Sequence, residues 1–544
     1  MLPNTHGEGG AVTTAPATTA EWLLPRFAGY RRPRVLQADR ALVAALLALA
    51  AVLRVPNLGR AYWIDEGISV GIASHPLTQL PRLLRQDGSP PLFYVLLHFW
   101  LETVGHSEVA THLLPLLVSL LTIPAGYWAA TELFDRRAGL AAAGLLATNP
   151  FLNWYSTETR MYTLVVLLVL IGVTFAWRAQ RDRSAADAIK AVIAYAALMY
   201  THDWGIYLLG ATALVLFLMT WRRGDRTVSL WVAGGGSAVV VLWLPWLPSF
   251  LYQAGHTAAP WAVRPGIGDI FADPASVLGG TLGFLVAPAL AIGSYVCWSK
   301  LAPGHRQTAG AMAWVALAAT VAGYVGALIE PSWTARYLAV IVAPYLLAAA
   351  GALSTTLRGR VVLASVGSGL ALWSIVGSLL PNPNGRYAKD NMAAIAGAAR
   401  PYLAAGDMVV VDQTEQLAVA RHYLPGDLQY LTPSGPVADP TVVDWRNLVQ
   451  RLQQATPCEA IGPTLRSLAI GSSVLEILPA RKLGASGSAW SKAVTGQVLA
   501  VDGFLSRDPS LRIVALFRQG LHPQPYAPVE GVLYQKTART PPCT

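Results

Sequence analysis

The chain has 544 residues, of which 54% are hydrophobic and only 13% charged, with 40 basic against 30 acidic side chains. An ordinary soluble protein carries about 25% charged residues, so a soluble protein of this composition would need an implausibly large apolar core. The excess charge of +10, mostly arginine, falls in short clusters between apolar runs, a footprint of membrane orientation rather than of nucleic-acid binding. Three cysteines make neither a disulfide framework nor a metal-ligand spacing.

In chain order, residues 1–40 read as a disordered, Thr/Ala-rich cytoplasmic tail ending in arginines, without the compact apolar core of a signal peptide. Apolar runs suited to spanning a membrane follow near 41–59, 109–131, 138–153, 160–177, 188–203, 204–221, 228–250, 276–298, 309–329, 337–356 and 361–380. Arg54 interrupts the first, and 188–221 admits other divisions. The stretch 91–104 starts at Pro90-Pro91, contains His98 and falls short of the roughly 20 residues a span needs.

Charge settles that stretch. With the N-terminus inside and 91–104 not crossing, inner loops collect Arg136, Arg137, Arg178, Arg181, Arg183, Arg222, Arg223 and Arg226, among others. The short outer loops after the first then hold only Arg160, Arg264 and Arg336. A crossing at 91–104 would invert every later loop against the positive-inside rule. The expectation is about eleven spans, with 60–108 outside and carrying two membrane-parallel helices, near 65–86 and 91–104. After the turn-rich PNPNG, residues 381–544 read as an outer α/β domain. Its expected helices are 389–405 and 441–454, and its expected strands MVVVDQ (408–413), LQYL, SLAI and LRIVALF. On the outer side Cys458 and Cys543 could pair.

Ionisable residues at membrane depth are expensive and mark function, and here they gather at the outer ends of spans. Asp65 and Glu66 follow the first; Glu158 and Arg160 lie in NWYSTETRMY, His202 and Asp203 in YTHDW, and Glu330 and Arg336 in EPSWTARY. Each has a bland counterpart: a helix N-cap for Asp65-Glu66, a solvated acid for Glu158, an interfacial histidine for His202, and a snorkelling Arg336 beside the belt residue Tyr337. Their co-occurrence on one face implies a shared, aromatic-rimmed chamber.

YWIDEGIS, DGSPPLFYVLLHFW, YSTETRMY, Thr201-His202 and ARYLAVIVAPY, in this order over about 60–380, resemble the polytopic GT-C glycosyltransferases. The likeness is to the branch of the protein O-mannosyltransferases and the lipid A aminoarabinose transferase. It implies a polyprenyl-phosphate sugar donor, inversion at the anomeric carbon, and an acidic catalytic residue in the first outer loop, which Asp65 matches. Pro90, Pro91 and Leu92 match the family's PPL motif. Some relatives carry a basic residue just before it where this chain has Ser89, so the donor phosphate falls to Arg336 or Arg160.

These observations yield a mainly α, polytopic membrane protein of GT-C type with a C-terminal α/β extracytoplasmic domain. Its expected activity is transfer of one sugar, mannose or arabinose, to an envelope glycan, lipid or protein acceptor, with no nucleic-acid partner. Asp65 is the expected base and Glu66 positions it; Asp87, Tyr155, Glu158, Arg160, His202, Arg336 and Tyr337 are the expected substrate-binding set. No motif demands a metal, although Asp65, Glu66 and Glu158 could hold a divalent cation. The rival functions are a lipid-sugar flippase or transporter, which would place ionisable groups near mid-bilayer with repeated halves, and a scaffold, whose four outer clusters would lie apart.

Overall fold

A computed structural model describes residues 37–257, 259–379, 389–480, 487–521 and 527–542. Helix α1 (Gln37–Arg54) begins within the expected tail, so residues 37–40 are helical; the rest of that segment lies outside the described residues. Arg54, buried at its end, donates to Asn153 Oδ1 at 3.0 Å and to the carbonyls of Leu146 and Ala147 at 2.9 and 3.2 Å. The charge that interrupted the first apolar run is therefore spent on orphan carbonyls at the end of the neighbouring helix Arg136–Thr148, where a cation also meets the helix dipole favourably.

The first loop holds three helices rather than two: α2 (Ile64–Ala73), α3 (Leu80–Asp87) and α4 (Leu92–Val104). The single helix expected near 65–86 breaks at Ser74-His75-Pro76, because proline has no N–H to continue the ladder. Gly88 ends α3 at φ 95°, a left-handed position that glycine takes without a Cβ penalty. The bundle continues with α5 (Glu108–Leu133), α6 (Arg136–Thr148), α7 (Pro150–Tyr155), α8 (Tyr162–Asp182), α9 (Ala185–Met199) and α10 (Gly205–Arg222). It is completed by α11 (Arg226–Trp243), α12 (Leu247–His256), α13 (Asp269–Gly279), α14 (Gly283–Trp298), α15 (Pro303–Ile329), α16 (Ala339–Leu353) and α17 (Leu357–Leu379).

Every expected span meets a helix or helix pair, and among the described residues 8 segments are long and apolar enough to cross a membrane. Helices α1, α6 and α9, with 18, 13 and 15 residues, fall outside that set. Helix α4 is also too short, at 13 residues. Helix α16 is apolar on all sides because it is buried nearly throughout, packed against α15, α8 and α6.

The C-terminal segment folds around a 6-stranded sheet of β1 (Met408–Val411), β2 (Gln429–Thr432), β3 (Gly435–Pro436), β4 (Ser473–Pro479), β5 (Leu511–Phe517) and β6 (Val529–Lys536), ordered β3-β2-β1-β4-β6-β5. Strand β1 is parallel to β2 and β4, while β6 runs antiparallel to β4 and β5. Three expectations need correction. SLAI is not a strand, since Ser467 closes a helix and the strand lies at SVLEILP. The helix expected at 441–454 occupies only Leu448–Gln454, and that at 389–405 is α18 (Met392–Ala399) with a short 3-10 turn. The pairing expected of Cys458 involves Cys543, which lies outside the described residues.

This domain sits on the first loop. Helix α19 (Leu417–Tyr423) packs on α2. The approach is so close that a Cβ on Gly67 would stand 2.8 Å from the Val419 nitrogen. A Cβ on Gly71 would overlap the Thr441 carbonyl oxygen. The helix that carries Asp65 and Glu66 is thereby clamped by backbone of the sheet domain.

Candidate functional site

Trp63 caps α2 in extended conformation, which places Asp65 and Glu66 in the first helical turn, where free N–H groups and the dipole favour carboxylates. The two neighbours then diverge. Asp65 Oδ2 accepts from Arg336 Nη1 at 2.7 Å and lies 3.9 Å from Arg160 Nε. Glu66, fully buried, accepts from His112 Nε2 at 2.6 Å and from the Thr159 N–H at 2.8 Å through Oε1, while its Oε2 accepts from Lys389 Nζ at 3.1 Å. Burial alone would raise the Glu66 carboxyl, but the Lys389 ammonium and His112 outweigh it and hold it below the usual range.

Residues 156–161 form a tight turn between α7 and α8, with Arg160 N–H donating to the Glu158 carbonyl at 2.6 Å. Arg160 Nη1 reaches Ser69 Oγ at 3.1 Å and Tyr94 OH at 3.2 Å, and Tyr94 donates to Asp87 Oδ2 at 3.1 Å. Glu158 turns the other way: its Oε2 accepts from Trp154 Nε1 at 3.1 Å and lies 3.6 Å from Lys389. Burial pushes the Glu158 carboxyl up, with Lys389 opposing and Glu66 and Asp65 adding to the rise.

His202 sits in the turn before α10, its ring 4.9 Å from that of Tyr337 and 5.9 Å from that of Tyr162. Its Nδ1 accepts the Trp204 N–H at 3.1 Å. Burial, reinforced by Arg160 and Arg336, pushes the imidazole down to about 3, so the ring is neutral and its one hydrogen is on Nε2. That atom is buried without a hydrogen-bond partner, as are Nε of Arg160 and Nε of Arg336. Arg336 is flanked by the rings of Trp261 at 4.9 Å, Tyr337 at 5.8 Å and Trp63 at 5.9 Å.

Two cavities flank this cluster, one lined by Arg160 and the other by Arg336. One encloses about 1090 Å³ and is lined by Ser89, Arg160, His202, Asp203, Glu330 and Tyr337, among others. The second, of about 1210 Å³, is lined by Arg60, Trp154, Tyr155, Thr281, Arg336 and Trp373, among others. Asp65 is therefore bracketed by two arginines that belong to different cavities. A third, apolar space of about 570 Å³ between α8, α9, α10 and α11 has no acidic or basic lining and shares no residue with this cluster.

The structure thus brings Asp65, Asp87, Tyr155, Arg160, His202, Arg336 and Tyr337 into one connected region, whereas Glu66 and Glu158 turn into a buried knot beside it. The carboxylates considered for a divalent cation do not form a cage: Asp65 faces arginines, Glu66 and Glu158 share Lys389, and no metal-holding group of acids, His or Cys occurs among the described residues. Sequence reasoning missed His112, Tyr94 and Lys389. His112 carried a signal, as an ionisable group inside the expected span 109–131; Lys389, one of two cations after a polar linker, carried none.

Residues 88–248 match the family model of dolichyl-phosphate-mannose-protein mannosyltransferases. No curated protein sequence matches the chain. Among solved structures, ArnT from Cupriavidus metallidurans in the apo state aligns with TM-score 0.62 and 16% identity over 91% of this chain and 97% of that one. The same protein bound to undecaprenyl phosphate aligns with TM-score 0.60 and 17% identity over the same shares of 91% and 97%. The archaeal oligosaccharyltransferase AglB from Archaeoglobus fulgidus, in complex with an inhibitory peptide and a dolichol-phosphate, aligns with TM-score 0.51 and 12% identity over 86% of this chain and 71% of that one. The likeness first drawn from sequence motifs is thus met by a family match over 88–248 and by shared architecture over nine tenths of the chain: this is a multi-pass membrane protein with the GT-C glycosyltransferase fold.

Proposed function

We propose that this protein is an inverting membrane glycosyltransferase that moves one sugar, mannose or arabinose, from a polyprenyl-phosphate donor to an envelope glycan, lipid or protein acceptor on the outer side of the cell membrane. The observation that carries this function is the position of Asp65 between Arg160 and Arg336, each lining a different cavity. A two-substrate transfer needs a base at the junction and positive charge on the leaving-group side.

The donor phosphate belongs beside Asp65 with Arg160, His202 and Arg336, whose Nε, Nε2 and Nε atoms make no hydrogen bond within the protein and offer theirs to an anion; Arg160 and His202 line the cavity that also holds Ser89 and Pro90. The aromatic cavity of Trp154, Tyr155 and Trp373 suits the acceptor. Both arginine contacts use Oδ2 of Asp65, which leaves Oδ1 for the acceptor hydroxyl. In the reaction the acceptor oxygen attacks the anomeric carbon, its proton passes to Asp65, and the sugar–phosphate bond breaks with its electron pair leaving on the phosphate. A single displacement inverts the anomeric centre. Polyprenyl phosphate leaves already charged, so the arginines stabilise it and no general acid is required.

In this assignment the N-terminus is cytoplasmic and the sheet domain extracytoplasmic, which places the site at the outer surface. The convergence of Asp65, Arg160, His202 and Arg336 argues against a scaffold, whose clusters would be scattered. Their gathering at helix ends disfavours a transporter with a mid-bilayer site. The test is incubation of purified protein with a panel of radiolabelled polyprenyl-phosphate sugars and an envelope extract, followed by identification of the labelled product. Exchange of label across a vesicle membrane without covalent transfer would instead make it a flippase.

A further inference from the structure

The two segments that deliver Asp65 and Arg160 are tied together by a side chain from neither. Lys389 is 2% exposed, and its ammonium donates to Glu66 Oε2 at 3.1 Å and to the Thr157 carbonyl at 2.9 Å, with Glu158 Oε2 at 3.6 Å. Glu66 is bonded along the chain to Asp65, and Thr157 and Glu158 stand just before Arg160. One cation from the soluble domain therefore spans both backbones that position the proposed base and one of its arginines.

Lys389 is itself held by the sheet domain. Its carbonyl accepts from Ala527 N–H at 3.0 Å, and Asp390 forms a bridge with Ala527. Asn391 exchanges hydrogen bonds with the backbone of Val529, accepting at 2.7 Å and donating at 2.8 Å, at the start of β6. A lysine merely filling space would extend its ammonium to water. This one is fixed at both ends, and two buried carboxylates face it. Burial of those carboxylates is tolerable only with a paired cation.

We propose that Lys389 is a positioning residue of the transfer site, through which the extracytoplasmic domain sets the placement of Asp65 and Arg160. This role rests on the transferase function proposed above. It makes the C-terminal domain part of the transfer machinery, coupled to the site by one ammonium and by the α2–α19 contact.

The test compares Lys389→Met, Lys389→Arg and the double variant Lys389→Met/Glu158→Gln, which removes one buried positive and one buried negative charge together and so keeps a foldable alternative should the first fail. Two readouts are taken on full-length, detergent-purified protein. Hydrogen exchange of peptides covering 62–74 and 154–162 should quicken at least tenfold in both Met variants and stay near wild type in Lys389→Arg. Single-turnover transfer per folded molecule should fall at least tenfold in both Met variants and be largely kept by Lys389→Arg. A folded double variant with wild-type exchange in those peptides and wild-type transfer would overturn the proposal. The exchange readout needs no turnover: a wild-type protein that transferred none of the sugars offered would count against the proposed function, and exchange alone would then decide the role of Lys389.

Discussion

Asp65→Asn separates the two things Asp65 does in the structure. The substitution keeps the size of the side chain and removes both its proton acceptor and its charge. Loss of a positioned base costs about 10²–10⁴ in rate, or ~3–5 kcal/mol at about 1.4 kcal/mol per decade. Donor affinity should move the opposite way, because the carboxylate competes with phosphate for Arg336 at 2.7 Å. Two unit charges at about 4 Å attract by about 4 kcal/mol at an effective dielectric of 20. Desolvation and the partial exposure of both groups, 16% each, reduce the net to ~1 kcal/mol. Binding of polyprenyl phosphate should therefore tighten about three- to tenfold while single-turnover transfer collapses. The assay is transfer plus donor titration on monodisperse protein. Near-normal transfer by the Asn variant would remove Asp65 from catalysis; weakened binding would refute the competition between carboxylate and phosphate.

Arg336→Ala should weaken donor binding more than Arg336→Lys, since lysine keeps the charge but loses the planar fork that stacks among Trp63, Trp261 and Tyr337; equal titrations of both variants and wild type would move the phosphate site to Arg160 alone. Burial pushes the Asp203 carboxyl up to about 7 from an unfolded value of about 3.9, so the folded state binds the extra proton and this stability is lost as pH rises through about 7. Asp203→Asn should accordingly raise the thermal midpoint at pH 8 and leave it nearly unchanged at pH 4, and a midpoint difference independent of pH would refute that assignment. Gly71→Ala places a methyl group against the Thr441 carbonyl and should cost about 1–3 kcal/mol, seen as a lower thermal midpoint and faster proteolysis of the sheet domain, whereas Gly144→Ala, with open space around it, should be silent.

The membrane part was legible because lipid imposes length and charge rules on every helix, and each ionisable cluster stood out against an apolar background. The same rules say nothing about which clusters touch: Asp65 and Arg336 are 271 positions apart, and only the fold makes them partners. The break between α2 and α3 was written in His75-Pro76, yet the apolar residues on either side masked it by keeping one helical period. Strand β4 was hidden for a different reason. Glu476 sits in its middle, fully buried, with Tyr534 OH donating to it at 2.9 Å, and a charged residue within an apolar run reads as solvent-facing until its partner on β6 is known. SLAI drew attention instead because four apolar-leaning residues suit a short strand as well as a helix end.

Lys389 follows the same logic to its limit. A buried cation needs acids or carbonyls around it, and both acids beside Lys389, Glu66 and Glu158, come from the helical part of the chain. Each of the three looks solvated when read alone, and each is buried because of the other two. Lys389 and His112 bind Glu66, while Arg336 and Arg160 face Asp65, so the adjacent acids part into a buried knot and the proposed transfer site. The sheet domain supplies the cation, Lys389, that pairs with Glu66 and Glu158.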